Sequence, residues 1–390
     1  TIMGYAGITA QDVAPHSIDI FHQASIAQIQ ANLATKTCPV TTAMTANSAP
    51  VLSAVSNYTI PISTPFALTA SATDPQGDAI TYCWEQNDNS STSGTGSVAS
   101  PTKTSGPNWL SFPATASGTR TFPRLSTILA GANVTGPLPG GDAGANIEAL
   151  SSVARTLNFR VTARDNRPYV PGSTIGQTSF TDAVVSVSAS SGPFAVTAPN
   201  TAVTWTGGST QTVTWSVNNT TAAPVSCANV KISYSTDGGN TFTQLVASTP
   251  NDGSELITVP SVNSSTCRIK VEAVGNIFFD IGNANFTINT AAPRMAPSIV
   301  AAEKEAGSKL AISPNPATSA IQLGFFAEAK GTASITVTNQ SGNVVLQKTI
   351  TAVKGQNMQS LDISKLVNGV YSVKIQNGTS VKTNRVVVNK

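Results

Sequence analysis

The chain has 390 residues, of which 11% are charged, and its formal net charge is +3. Its scattered basic residues form no stripe that would favour nucleic acid binding, and no run of about 20 apolar residues could cross a bilayer as a helix. Short apolar runs, separated by 29 glycines and 23 prolines, predict a mainly β protein of several domains.

The first 40 residues predict one helix. They begin with the sequence TIMGYAG, and an amphipathic segment follows that is capped by Asp19 and has its apolar positions at Phe21, Ile26, Ile29 and Leu33. The opening resembles the Met-turn of metzincin zinc proteases, closest to the reprolysin-like bacterial group, in which a terminal helix packs under the zinc site. The resemblance implies that residues 1–40 end a truncated catalytic domain. Met3 would be the floor of its zinc site, and Tyr5 either a near-metal residue or a buried structural tyrosine.

The zinc site of that family lies outside this sequence. The family binds zinc through H-E-x-x-H-x-x-G-x-x-H, because the metal needs three neutral imidazoles and one open position. The two histidines of the chain, His16 and His22, are not followed by glutamate. We therefore expect no peptide hydrolysis by this chain alone, with zinc held upstream. The missing initiator Met and signal peptide favour a fragment or a processed product.

Residues 45–190 alternate apolar and polar residues, as half-buried strands do. Residues 70–84 resemble the cadherin-like and PKD-like Ig modules of bacterial exoenzymes, whose DPDGDxLTYxW pattern they nearly reproduce. Strands return at residues 156–166 and 182–189. Between the two halves, residues 86–154 are rich in Ser, Gly, Thr and Pro and form a long insertion of unpredicted structure.

Four aspartates of this module are candidate calcium ligands: Asp74, Asp78, Asp165 and Asp182. If they meet at one end of the sandwich, their hard carboxylate oxygens suit Ca²⁺. The alternative is that they only form a turn and cap a strand end.

Residues 192–290 contain seven candidate strands at regular spacing, which is typical of an Ig-like sandwich. Cys227 and Cys267 fall within this module, and their spacing suits a disulfide between strands, in keeping with an exported protein. Cys38 and Cys83 have no obvious partner. At least one of Trp205 and Trp215 is expected in the core; as an alternative, an exposed pair would stack on sugar.

Residues 291–308 predict a linker, because they are rich in Ala and Pro, then charged, and show no strand pattern. Such a segment suits cleavage or flexibility between two folded parts of a chain.

Residues 309–390 contain seven short strand-like runs with a buried face. Four motifs stand in order: SPNPA at 313–317, SGNVV at 341–345, LDISKLVNGVYSVKI at 361–375 and VVVNK at 386–390. Together they resemble the C-terminal sorting domain of the type IX secretion system. The resemblance implies a small β-sandwich recognised by the secretion machinery, and a chain secreted by, or displayed on, a Gram-negative bacterium. The residues tied to that signal are Pro314, Asn315, Pro316, Gly369, Tyr371, Val386, Val387, Val388 and Lys390.

The sequence thus predicts three successive Ig-like β-sandwich domains preceded by a short helical remnant of a metzincin domain. The corresponding function is the non-catalytic C-terminal portion of a secreted zinc metalloprotease. It would serve export, spacing and contact with a protein or polysaccharide substrate. The alternative function is a cell-surface adhesin or carbohydrate-binding stalk.

Overall fold

The computed structural model describes residues 2–4, 6–40, 42–90, 96–290 and 309–390. The chain divides into two compact units, Thr1–Ala291 and Ala292–Lys390. Strands dominate the described residues of both units, and the helices there are α1 (Gln23–Ala34) and α2 (Leu125–Leu129). The predicted mainly β class is confirmed. The predicted linker, residues 291–308, lies outside the described residues.

Helix α1 forms where the sequence predicts it, but its cap and its packing differ from the prediction. His22, not Asp19, is the N-cap, and its Nδ1 accepts a hydrogen bond from the Ala24 amide at 3.1 Å. Phe21, Ile29 and Leu33 are exposed. The buried residue of the helix is Gln23, because α1 contacts the first module with its N-terminus and not with an apolar face.

The first module, residues 45–190, is built from small sheets of short strands. The four-stranded sheet has the order β2-β10-β9-β5, with β2 and β10 parallel, and the two-stranded sheets are β1-β4, β3-β6 and β7-β8. The strands are β1 (Val51–Leu52), β2 (Tyr58–Pro61), β3 (Phe66–Thr69), β4 (Ala72–Thr73), β5 (Thr81–Gln86), β6 (Thr119–Phe122), β7 (Val134–Thr135), β8 (Glu148–Ala149), β9 (Arg155–Arg164) and β10 (Thr178–Ser188).

The insertion between β5 and β9 is held by two cations that bind backbone carbonyls. Lys103 Nζ donates to the carbonyls of Ser97 and Pro107 at 2.8 and 2.7 Å. Arg155 donates to the carbonyls of Lys103 and Gly106 at 3.0 and 2.5 Å. These contacts satisfy loop carbonyls that have no strand partner. Those of Arg155 join the insertion to β9, and the pairing of β6 with β3 and the buried Trp109 and Phe122 join it to the rest of the module.

The second module, residues 192–290, is a two-sheet sandwich. One sheet has the order β11-β13-β16 and the other β12-β19-β17-β14-β15, with β18 beside β17. The strands are β11 (Ala195–Ala198), β12 (Thr204–Thr206), β13 (Thr210–Ser216), β14 (Asn229–Ser235), β15 (Thr243–Pro250), β16 (Ser254–Thr258), β17 (Ser264–Ala273), β18 (Phe279–Ile281) and β19 (Phe286–Asn289). The seven predicted strands are present. The sequence pattern missed β12 and β18, which have three residues each.

The first two modules share one hydrophobic core. The Ala67 amide donates to the Ile277 carbonyl at 3.0 Å, and the Phe279 amide donates to the Pro65 carbonyl at 2.9 Å. Phe66 and Phe278, both buried, lie between these bonds and belong to one continuous core cluster. These two modules are therefore parts of a single compact unit.

Both tryptophans of the second module are buried. Trp215 Nε1 donates to Asn251 Oδ1 at 2.8 Å, and the Trp205 ring lies 4.6 Å from that of Phe286. The core prediction is confirmed. The interpretation as an exposed pair that stacks on sugar is wrong, because neither ring is open to solvent.

The predicted disulfide between Cys227 and Cys267 is not formed. Both residues are buried free thiols, and each is turned to a nearby carbonyl: Cys227 Sγ donates to Asn229 at 3.2 Å and Cys267 Sγ to Ser264 at 3.6 Å. Cys83 is also a buried free thiol, and Cys38 is an exposed one.

The C-terminal unit is a sandwich of two antiparallel sheets with a core of its own. The sheet orders are β20-β21-β24 and β23-β22-β25-β26. All seven predicted strands are present: β20 (Ala311–Ser313), β21 (Ala320–Ala327), β22 (Gly331–Thr338), β23 (Val344–Ala352), β24 (Gly355–Asp362), β25 (Gly369–Asn377) and β26 (Ser380–Val388). Ile335, Val373 and Ile375 alternate into the core, as a period of two requires.

Candidate functional sites

Strands β25 and β26 bring together the predicted signal residues of the C-terminal half. Gly369 is paired with Val388, and Tyr371 with Val386. Val386 and Val388 are buried while Val387 between them is 37% exposed, because successive side chains of a strand point to opposite faces. The Tyr371 hydroxyl donates to the Val367 carbonyl at 2.8 Å, which ties β25 to the loop before it.

The entry turn of this unit is bonded to its last strand. Asn315 Oδ1 accepts from the Val387 amide at 2.9 Å, and Asn315 Nδ2 donates to the Arg385 carbonyl at 3.0 Å. Next to this pair, the Ala317 amide donates to the Val387 carbonyl at 2.8 Å, and the Asn389 amide to the Ala317 carbonyl at 2.9 Å. Residues 314–317 and 386–390 thus form one structure, which we call the terminal junction.

The last residue fastens the terminal junction to a third motif. The Lys390 amide donates to Asn368 Oδ1 at 2.9 Å, and Lys390 Nζ donates to the Ser364 carbonyl. The sequence motifs pointed to Lys390 but not to Asn368 or Ser364; the Asn-Gly pair at 368–369 was the available signal, since Asn side chains often bond nearby backbone. Five of the predicted signal residues are exposed: Pro314, Asn315, Pro316, Val387 and Lys390.

Three of the four predicted calcium ligands converge in the first module. One carboxylate oxygen from each of Asp74, Asp78 and Asp165 lies within 4.8 Å of the others. Asp165 is buried, and its carboxylate accepts from the Gln177 amide at 2.9 Å and from Asn47 Nδ2 at 2.6 Å. The turn after β4 and the end of β9 position these side chains, so the site has a fixed scaffold.

Two oxygens of this acidic cluster are buried without a hydrogen bond, Asp74 Oδ2 and Asp78 Oδ2. The other oxygen of Asp74 accepts from the Gln76 and Asp78 amides at 2.9 and 3.0 Å, as the turn alternative requires. Arg167 Nε lies 3.1 Å from Asp78 Oδ2; this ion pair is too poorly aligned to count as a hydrogen bond, and it offsets one of the three negative charges.

Asp182 does not join the cluster. Both of its oxygens are taken by the fork of Arg160, at 2.7 Å from Nε and 2.8 Å from Nη2. Its predicted role as a calcium ligand is wrong, because β10 places Asp182 opposite Arg160 in the ladder with β9.

The N-terminal segment lies on the first module and shows no metal site among its described residues. Met3 is 58% exposed in a turn, and its predicted place beneath upstream zinc ligands stays a prediction. Asp12 and Val13 bond to the insertion, with the Asp12 amide 2.7 Å from Asp142 Oδ2. His22 Nε2 lies 3.1 Å from the Gln86 carbonyl. Tyr5 lies outside the described residues.

Residues 311–389 match the family model described as "Secretion system C-terminal sorting domain". No curated protein matches the chain. The FN1-FN3 domains of chicken CNTN1 are 12% identical over 88% of this chain and 99% of that one, with a TM-score of 0.18. The Ig1-2 module of Drosophila DLAR is 11% identical over 63% of this chain and 100% of that one, with a TM-score of 0.33.

Latent PorU of Porphyromonas gingivalis is 11% identical over 87% of this chain and 32% of that one, with a TM-score of 0.18. At these identities and scores, the likenesses to solved structures carry no information on function. Among the described residues, no helix has the length and apolar character needed to cross a membrane. The matched model and the sandwich that carries its motifs identify residues 311–389 as a type IX secretion sorting domain, and the chain is therefore a secreted or cell-surface protein that uses the type IX machinery.

Proposed function

We propose that this chain is the non-catalytic C-terminal portion of a secreted zinc metalloprotease. The sorting domain carries the export part of this proposal, since it matches over residues 311–389. The protease part is supported by the Met-turn-like opening, which is followed by α1 and then by sandwich modules in the order expected of such enzymes. In this arrangement the first two modules space the enzyme from the sorting domain and contact a protein or polysaccharide substrate.

The contacts of α1 suit an accessory module that is joined firmly to what precedes it. The Gln23 amide donates to Glu85 Oε2 at 3.1 Å, and Arg160 Nη1 donates to Gln23 Oε1 at 3.0 Å. Glu85 is buried, so its carboxylate faces the positive end of the helix dipole at short range. A domain placed before α1 would thus be anchored to the first module.

The test of the protease part is to purify the native gene product from culture supernatant and cell surface. We expect a longer polypeptide that contains one zinc ion per chain and cleaves a denatured protein substrate. A chelator should abolish cleavage, and zinc should restore it. A native product that starts at Thr1 and holds no zinc would contradict the protease proposal and leave the export conclusion standing.

The adhesin or carbohydrate-binding stalk remains the alternative function, but the two tryptophans that would have stacked on a sugar are buried. Trp205 and Trp215 offer no ring face to a sugar. Any sugar contact would have to come from another surface of the first unit.

We further propose that Asp74, Asp78 and Asp165 bind Ca²⁺. The observation in favour is that Asp74 Oδ2 is buried and makes no hydrogen bond, although burying such a group unpaired is costly. Asp78 Oδ2 also makes no hydrogen bond and has only the Arg167 ion pair. Calcium prefers oxygen ligands of this kind and would neutralise the cluster. The bound ion would take the place of the Arg167 ion pair with Asp78.

Calorimetric titration of the chelator-treated chain with CaCl₂ tests this proposal. We expect saturable binding and a rise in Tm, because a ligand that binds only the folded state stabilises by about 2.7 kcal/mol at a hundred times its Kd. Asp74→Asn should lose both effects, while the exposed control Asp19→Asn should keep them. An unchanged Tm in wild type, or the same rise in Asp74→Asn, would show that the cluster only shapes the turn.

A further inference from the structure

A cleft in the first module is lined by two arginines and one glutamate, so its lining carries a net positive charge. It lies beside β6, has a volume of about 240 Å³ and is lined by aromatic, hydroxyl and cationic side chains. The residues that matter here are Phe112, Thr115, Ser117, Arg120 and Arg124. The family resemblances and the matched sorting domain assign no role to this cleft.

Arg120 and Glu148 form a neutral pair that belongs to the fold. Glu148 is fully buried, and its Oε1 accepts from Arg120 Nη2 at 3.0 Å. Arg120 also donates to the carbonyls of Trp84 and Leu110, both at 2.7 Å. Because Arg120 already makes these hydrogen bonds, few of its N–H donors are available to a ligand, and the charge of Glu148 neutralises its charge.

Arg124 is the cation that remains. Its guanidinium makes no hydrogen bond to the described part of the chain, and its Nε is buried 3.5 Å from Glu148 Oε2 without bonding to it. The guanidinium carbon lies 4.5 Å from the centroid of the half-exposed Phe112 ring at the cleft. The side chain is 35% exposed, so its free N–H groups face solvent in the cleft.

This geometry is suited to a carboxylate. A guanidinium presents parallel N–H donors that match the two oxygens of a carboxylate, and such charge-assisted pairs are stronger than neutral hydrogen bonds. The local charge of Arg120, Arg124 and Glu148 sums to one positive charge, which favours an anion. The contact with the Phe112 ring restricts the guanidinium before a ligand arrives, so binding loses less conformational entropy.

We propose that this cleft binds the carboxylate of an acidic sugar residue, with Arg124 as the anion-binding group. The volume of about 240 Å³ is below the roughly 300–1,000 Å³ of sites for drug-sized ligands, so a single ring fits. Thr115 and Ser117 also line the cleft. Their hydroxyls donate to the carbonyls of Ser117 and Thr119 at 3.0 and 3.4 Å, and their oxygens can accept hydrogen bonds from the hydroxyls of a ligand. They favour a sugar, whose ring hydroxyls stand beside its carboxylate, over a peptide C-terminus. This site does not depend on the protease proposal.

Calorimetric titration of the full chain with glucuronate and galacturonate tests the proposal, with glucose and N-acetylalanine as comparison ligands. We expect a uronate to bind at least tenfold more tightly than glucose and N-acetylalanine, and more weakly as salt is raised. Arg124→Gln should reduce uronate affinity at least tenfold. Arg385→Gln, which removes an exposed arginine of the C-terminal unit, should leave the affinity unchanged.

A second measurement needs no variant. Glucuronate should slow the modification of Arg124 by phenylglyoxal, read by peptide mass spectrometry, and leave the rate at Arg385 unchanged. No uronate binding, equal affinity for glucose, or full affinity in Arg124→Gln would overturn the proposal. Tighter binding of N-acetylalanine than of either uronate would assign the cleft to peptide ends and overturn the sugar assignment.

Discussion

Asn315 accepts a hydrogen bond from the Val387 amide at 2.9 Å, so the turn that opens the sorting domain is bonded to the strand that ends it. The nitrogen of the same side-chain amide donates to the Arg385 carbonyl at 3.0 Å. One side chain thus closes the sandwich at the place where the motifs SPNPA and VVVNK meet. The terminal junction is a folded structure and not a free tail, and a receptor that contacts it meets its exposed residues in fixed positions.

Replacing Asn315 by alanine should loosen the terminal junction. Two hydrogen bonds are lost, each of which contributes about 0.5–1.5 kcal/mol, and we expect the C-terminal unit to lose about 1–2 kcal/mol because the site is exposed. Hydrogen exchange of the Val387 amide in the full chain should accelerate. Asn343→Ala is the matched control, since Asn343 lies in the turn between β22 and β23 and bonds only through its backbone. Unchanged exchange at Val387 in Asn315→Ala would contradict this role.

Tyr371→Phe isolates the hydroxyl that holds the loop before β25. It removes the bond to the Val367 carbonyl but keeps the buried ring, so the free energy of unfolding should fall by about 1 kcal/mol. Denaturant unfolding of the C-terminal unit within the full chain measures the change. Tyr169→Phe, at an exposed tyrosine of the first unit, should have no effect. A loss of several kcal/mol would mean that the ring position depends on the hydroxyl.

The four cysteines should differ sharply in reactivity. Burial raises the pKa of Cys83 to about 11, and it also raises the pKa values of Cys227 and Cys267. Since the thiolate is the reactive form, these three should react slowly with a thiol reagent at neutral pH, and the exposed Cys38 quickly. When the protein is unfolded without reductant, all four thiols should react. A count of two reactive thiols would instead indicate that Cys227 and Cys267 form the predicted disulfide.

Asp280 should make the first unit less stable as pH rises. Burial raises the pKa of this carboxyl to about 7, although Asp280 Oδ2 accepts from the Val196 amide at 2.7 Å. Because the folded state holds the proton more tightly than the unfolded state, this stability is present in full below pH ~4 and is lost as pH rises to about 7. The loss should be up to about 1.4 kcal/mol per pH unit.

Thermal unfolding of wild type and Asp280→Asn between pH 4 and pH 8 measures this effect. The stability difference between the two proteins should change across the range and level off above neutral pH. Parallel pH profiles would show that Asp280 titrates normally in the folded protein.

The strands of the C-terminal unit and of the second module could be predicted because their alternation reports a buried face directly. The short strands β12 and β18 could not, since three residues carry too little of a period. The insertion could not be predicted either, because its strands β6, β7 and β8 have only two to four residues and its core residues Trp109, Phe122 and Leu150 stand far apart in the sequence. The acidic cluster was predicted in part: a turn motif indicated that Asp74 and Asp78 lie together, but the partner of Asp182 depends on strand register. Arg124 was missed because its surroundings come from distant segments.

The central claim is that residues 309–390 direct export, and the most direct test is to delete them from the native gene in its own host. The intact product should be found at the cell surface or in the medium, while the truncated product should accumulate inside the cell envelope in folded form. Folding of the truncated product is expected because the first unit has its own core. A truncated product that reaches the surface or the medium as efficiently as the intact one would contradict the account.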